Sequence, residues 1–251
     1  RHRAPASVGQ SEPPACDVLT GATGATGDAA RPQAGDYSLV QGAGAVVEPQ
    51  TLATLIGPYL GTLHMALHVA VADEDSGLVE MFSAPVMEYD GVVIQDLCVP
   101  TSPWNDTPTD GPALWDNPFF AADGFDAAFY FSQENGPATG RAYDIEASGA
   151  FRTDGDRIDG IVLDELLDMD FLTEIASIGD QSPCEFMGNL GMACTTCPDG
   201  TVGCHPMRVE LVQAHRTEVF SIHPETGEEL TTLIEVSQEM VDEWTIAGLC
   251  S

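Results

Sequence analysis

The chain has 251 residues and sets 40 acidic side chains against 8 basic ones, a formal net charge of −32 at pH 7. A field of that sign repels phosphate backbones and anionic membrane surfaces, so nucleic acid is excluded as an expected partner, while basic proteins, cations or positively charged surfaces are favoured. Hydrophobic residues make up 43% of the chain, enough for a core, and no apolar run approaches the ~20 residues that a bilayer-spanning helix needs, so no transmembrane segment is expected.

Residues 1–35 are rich in Pro, Gly, Ala and Thr and include the repeat Gly21-Ala22-Thr23-Gly24-Ala25-Thr26-Gly27. Such a composition buries too little surface to order itself and reads as a tail, spacer or docking arm. The first residues, Arg1-His2-Arg3, read as the start of a mature or shortened form whose signal peptide is out of view. From residue 36 the pattern is that of one β-rich domain reaching to 251. Tyr37 to Val47 reads as a strand and Pro49 to Ile56 as a short helix started by its proline. Leu63, Met65, Leu67, Val69 and Val71 alternate with smaller or polar residues, the period-two signature of a half-buried strand. Asp90-Gly91 joins Val86–Tyr89 to Val92–Leu97 as a hairpin, and Asp154-Gly155 joins Ala150-Phe151 to Ile158–Val162 in the same way. Further strands are expected over Asp126–Ser132, Arg141–Arg152, Arg208–Ala214, Glu218–His223 and Leu230–Val236. Asp168 to Ile178 has helical spacing, and Ser237 caps a last helix through Met240, Val241 and Trp244. The expected fold is mainly β, an antiparallel sandwich or open barrel with two or three short helices and a disulfide-stapled helical insertion at about 165–206.

Seven cysteines point to an oxidising compartment. Cys184, Cys194, Cys197 and Cys204 share one segment, while Cys16, Cys98 and Cys250 stand apart, and the odd count leaves at least one thiol over. Pro198 occupies the position where covalent haem attachment needs histidine, and Pro198-Asp199-Gly200 announces a turn rather than the strand-to-helix context of a redox pair. Structural disulfides are therefore expected of the cluster, with zinc as the alternative. Cys16 is the position for a lipid anchor, although Pro13-Pro14-Ala15 before it is a poor processing site.

Two other groups are candidate metal ligands. His64 and His68 are spaced i, i+4, which on a helix would present both to one ion but on a strand separates them by ~13 Å. Asp154, Asp156 and Asp159 crowd one hairpin, and carboxylates on loops are the ligands that calcium prefers. No cofactor is expected, with calcium or zinc as the alternative. No nucleophile elbow, phosphate loop or dinucleotide fingerprint occurs, so the chain does not read as an enzyme. The aromatic-rich stretch holding Trp104, Trp115, Phe119, Phe120, Phe125, Phe129, Tyr130 and Phe131 would line an apolar pocket, a partner surface or the core.

The run Gly149-Ala150-Phe151, Asp154-Gly155 and Ile158-Asp159-Gly160, followed by Cys184, Cys194-x-x-Cys197-Pro198-Asp199-Gly200 and Cys204, resembles uncharacterised secreted and cell-envelope proteins of myxobacterial type. It covers the C-terminal third to half of the chain. The resemblance implies a secreted, periplasmic or cell-surface β-rich domain and no mechanism. The sequence thus predicts an extracytoplasmic, acidic, salt-tolerant, non-enzymatic protein that binds or builds an envelope or extracellular assembly, its partners basic proteins or copies of itself. The alternative is a metal-binding or electron-transfer accessory protein using the cysteines, histidines or acidic loops.

Overall fold

A computed structural model describes residues 33–40, 46–60, 63–73, 77–104, 113–116, 118–131, 138–175 and 178–250. Cys16 and the Gly-Ala-Thr repeat lie outside the described residues, as does most of the expected 1–35 tail. Its last three positions are described: Gln33 and Ala34 accept hydrogen bonds from Arg216, and Gly35 begins the first strand.

The structure is mainly β and closes into an eight-stranded antiparallel barrel. Its wall runs β1 (Gly35–Val40), β3 (Leu63–Asp73), β4 (Leu78–Tyr89), β7 (Ala113–Asp116), β8 (Phe119–Phe131), β9 (Ala138–Phe151), β10 (Arg157–Asp168) and β12 (Val202–Arg216), which pairs back onto β1. The short β7 bridges β4 and β8, so the barrel is closed rather than open. A two-residue strand and a three-residue strand edge the wall, β6 (Ser102–Pro103) on β4 and β2 (Val46–Glu48) on β12.

Alternation decides which side chains go inside. On β10, Ile158, Ile161, Leu163, Glu165 and Leu167 are buried, while Asp159, Val162, Asp164, Leu166 and Asp168 stay partly exposed. The step of three from Ile158 to Ile161 is a bulge at Gly160, whose φ of 61° lies in the left-handed region. The bulge resets the phase so that both isoleucines face inward. A second bulge at Gly124, φ 71°, does the same between Ala122 and Phe125 on β8. Bulges of this kind add the local twist that lets strands coil into a barrel. An apolar interior and charged outer positions are the reverse of a transmembrane barrel, whose lipid-facing side is apolar.

The interior is filled with side chains, as expected at eight strands. Phe120 and Phe129 fit because each lies opposite a glycine on β9, Gly149 and Gly140 respectively. A Cβ at Gly140 would stand 2.2 Å from the Phe129 ring. Gly140→Ala is therefore expected to cost about 1–3 kcal/mol in thermal or urea unfolding through overpacking. Gly57→Ala, in helix α1 (Gln50–Leu60) with nothing within 4 Å of the added carbon, is expected to be neutral or stabilising. The same helix seats Leu52 and Ile56 in the barrel core.

Outside the wall, β5 (Val92–Gln95) forms the Asp90-Gly91 hairpin with β4, both turn residues having positive φ as a two-residue turn of this type requires. It pairs in parallel with β13 (Val219–Ile222), which carries β14 (Glu229–Leu230). Val219 and Leu233 cover Ala66, Phe82 and Ala84 on the outer wall. Helix α4 (Gln238–Ile246), capped by Ser237 as its sequence predicts, packs Val241 and Trp244 against Leu97, Val236 and Cys250.

The insertion begins later than expected, because β10 runs through Asp168. It comprises a 3-10 turn at Met169–Phe171, α2 (Leu172–Ile175), α3 (Pro183–Asn189) and β11 (Thr195–Thr196). Helix α3 carries a full capping box, Ser182 accepting from the Glu185 amide and the Glu185 carboxylate accepting from the Ser182 amide.

Candidate functional site

Three places gather chemistry-bearing side chains, and the first is inside the barrel. A cavity of about 20 Å³ is lined by Trp104, Phe125, Phe129, Met65 and Met207 among other apolar groups, and by one acid, Glu165. Trp104 directly follows β6 and is held by its amide, which donates to the Met81 carbonyl at 2.9 Å. Its ring stacks on Phe125 at 5.1 Å between centroids. The indole is 1% exposed, and its Nε1–H has no acceptor among the described residues.

Glu165 occupies the inward phase of β10 opposite Met207 of β12 and is 8% exposed. Burial pushes its carboxyl up to about 8, with the neighbouring Asp164 carboxylate adding to the rise. An ionised carboxylate loses its hydration in an apolar surrounding, and here no arginine compensates. At neutral pH the group is a carboxylic acid with a proton to donate. Glu165 and Met207 also line a surface groove with Glu48, Pro49, His205 and Arg208, so the cavity lies one side-chain layer from solvent.

The second place is on the outer wall. His68 of β3 and Asp36 of β1 face each other across the ladder, Nδ1 to Oδ1 at 2.6 Å. The other oxygen of Asp36, which is 5% exposed, accepts the Leu233 amide at 3.0 Å. Ile234 and Val236 donate to Gln95 Oε1 and Thr101 Oγ1, and Gln95 Nε2 donates back to the Ile234 carbonyl. Residues 233–236 are therefore not the strand that Leu230–Val236 predicts. Their apolar alternation is real, but the Leu233, Ile234 and Val236 amides are satisfied by side chains instead of a ladder, and β14 ends at Leu230. Asp36→Ala leaves a buried amide and a histidine without their acceptor. It is expected to cost about 3 kcal/mol and to strip hydrogen-exchange protection from the Leu233 amide before the barrel amides.

The third place is the cysteine segment. Cys184 pairs with Cys194, Cys197 with Cys204, and Cys98 with Cys250. Such bonds belong to an oxidising environment, and sulfurs joined in disulfides present no thiolate to zinc. Cys204 lies on β12, so the Cys197–Cys204 bond ties the end of the insertion to β12, and both cysteines pack with Tyr143 of β9 and Leu166 of β10.

The expected metal ligands do not converge. His64 and His68 share β3 at strand spacing, and His68 is engaged by Asp36. In the acidic hairpin, Asp159 is held by Arg152 at 3.3 Å and Arg157 at 3.2 Å, while Asp154 accepts the Asp156 amide to shape the turn. Among the described residues no three His, Cys, Asp or Glu side chains gather as a metal-ligating group. Of the aromatic stretch, Trp104, Phe125 and Phe129 line the cavity and Phe120 packs beside them, whereas Tyr130 turns its hydroxyl to Asp96 at 2.6 Å. Glu165 was not among the expected site residues. Its signal is the phase of Ile161, Leu163, Glu165 and Leu167, which puts an acid on the inward side of an apolar strand.

The class these features define is a closed, filled antiparallel barrel with disulfide-fastened outer elements. No protein-family model matches the chain, and no match was found among curated proteins or solved structures.

Proposed function

We propose that the chain is an extracytoplasmic, non-enzymatic binding or structural component of a cell-envelope or extracellular assembly. The observation that carries this reading is the set of three disulfides, two fastening the cysteine-rich insertion and one fastening the C-terminal helix to the segment after β5. Cross-links of this kind form and persist in oxidising compartments and stabilise the domain there. A core filled by its own side chains supports recognition by the exterior rather than transport of a large ligand. The acidic exterior selects basic partners or, where arginines meet acids, further copies of the chain.

The test is fractionation of native cells followed by sedimentation of the full chain. The expected result is recovery in the envelope or medium in complexes larger than the monomer, dissociating as salt is raised. A strictly monomeric protein, unchanged when residues 1–35 are deleted, contradicts the proposal. Elemental analysis of the same material separates the metal-carrying alternative, which stoichiometric calcium or zinc would favour.

A further inference from the structure

We propose that the surface groove between helices α1 and α3 is a contact site for a second copy of this chain, joined through uncharged side chains about a twofold axis. The contact is separate from the charge-selected contacts proposed above and does not depend on them.

The first observation is where charge is missing. The chain is 19% charged, yet residues 49–72 and 186–198 contain no Asp, Glu or Arg, and they are its two longest stretches without one. The fold brings them together at a groove of about 480 Å³, lined by Gln50, Thr51, Thr54 and Leu55 of α1, Phe186 of α3 and Leu190 at the α3 C-cap. Grooves of similar size elsewhere on the surface carry charge, one from Asp126 and Arg141, another from Glu48, Asp164 and Arg208. Glu185, the acid nearest in sequence to Phe186, folds its carboxylate back onto the Ser182 amide at 3.0 Å. Depletion of charge is the compositional mark of an interface core.

The second observation is shape. An isologous contact needs one patch to hold both a projection and a hollow. Leu190 is 41% exposed beside the hollow it helps to line, and Leu55 and Phe186 are half-buried there. Charge then selects the occupant. Each copy carries a net charge of −32, so contact through an acidic face sets acid against acid. A basic partner gains nothing at a groove without acids and is drawn to the acidic faces instead. The uncharged groove is where two such copies meet without that opposition.

Sedimentation equilibrium of the purified full chain at low and high salt tests the contact. Uncharged groups offer salt no ion pair to weaken, while repulsion between the copies reaches about 10 Å at 0.1 M salt and about 3 Å at 1 M. Dimers are therefore expected, with a dissociation constant roughly tenfold lower at the higher salt. Leu190→Asp and, separately, Thr54→Asp set like charges against each other at exposed positions of the contact, and each is expected to weaken the dimer at least tenfold with unchanged circular dichroism. Thr232→Asp, exposed on the segment that covers β3 and β4, adds the same charge and is expected to change the constant by less than about twofold. A monomer at both salts overturns the proposal. Association that weakens as salt rises overturns it too and belongs to the charge-selected contacts, as does a dimer that both groove variants leave intact.

Discussion

Glu165→Gln is expected to gain stability relative to the wild type as pH rises from about 4 to about 8. The folded carboxyl titrates at about 8 against an ordinary value of 4.5, so between those limits the folded state holds a proton that the unfolded state releases. Unfolding then becomes easier as pH rises from 4.5 to 8, and no further loss from this group occurs above 8. The full pH-dependent gain is on the order of 3–5 kcal/mol, on top of a pH-independent offset from the buried amide itself. Urea unfolding at pH 5, 6.5 and 8 reads it directly. Wild type and variant curves that stay parallel across that range would show that Glu165 ionises freely and that the cavity is wetter than its lining implies.

Removing the Cys98–Cys250 bond is the second large effect. Its partners are 152 residues apart, whereas Cys197 and Cys204 are 7 apart. In the chain-entropy picture a bond constrains the unfolded state more as its loop lengthens, which gives about 5 kcal/mol for the first and about 2 kcal/mol for the second. The double variant Cys98→Ser/Cys250→Ser is thus expected to lose more stability than Cys197→Ser/Cys204→Ser, by roughly 2–3 kcal/mol in denaturant unfolding. The longer bond also holds the small core of Leu97, Val236, Val241 and Trp244, so hydrogen exchange in α4 should rise with its loss while β8 to β10 stay protected. Equal losses for the two pairs would place the stabilisation in native contacts of the bonds rather than in the unfolded chain.

Much of the fold is written locally. The two Asp-Gly turns, the alternation of Leu63 to Asp73 and the Ser237 cap each act within a few residues, so their chemistry names the element without knowledge of the rest. Barrel closure is different: it depends on the pairing of β7 with β4 and of β12 with β1, contacts between segments far apart in sequence. The bulges at Gly124 and Gly160 shift the inward phase and break the simple period-two count that would have marked β8 and β10 at full length. Residues 233–236 read as a strand because their side chains alternate, yet their amides are claimed by Asp36, Gln95 and Thr101, a tertiary arrangement with no local trace. At the site, the aromatic contribution of Trp104, Phe125 and Phe129 was legible, and the structural use of the paired cysteines was too. Glu165 was hidden among 40 acids, since composition conceals the one whose strand phase turns it inward. The aspartates of the 154–159 hairpin looked like ligands for the complementary reason, because only the fold brings Arg152 and Arg157 onto Asp159.

The central claim, a barrel stapled for an oxidising extracytoplasmic setting, is tested most directly by mapping disulfides in protein taken from its native cells with free thiols trapped at lysis. Non-reducing peptide mass spectrometry is predicted to find Cys98 joined to Cys250, Cys184 to Cys194 and Cys197 to Cys204. Trapped free thiols at those six positions would contradict it.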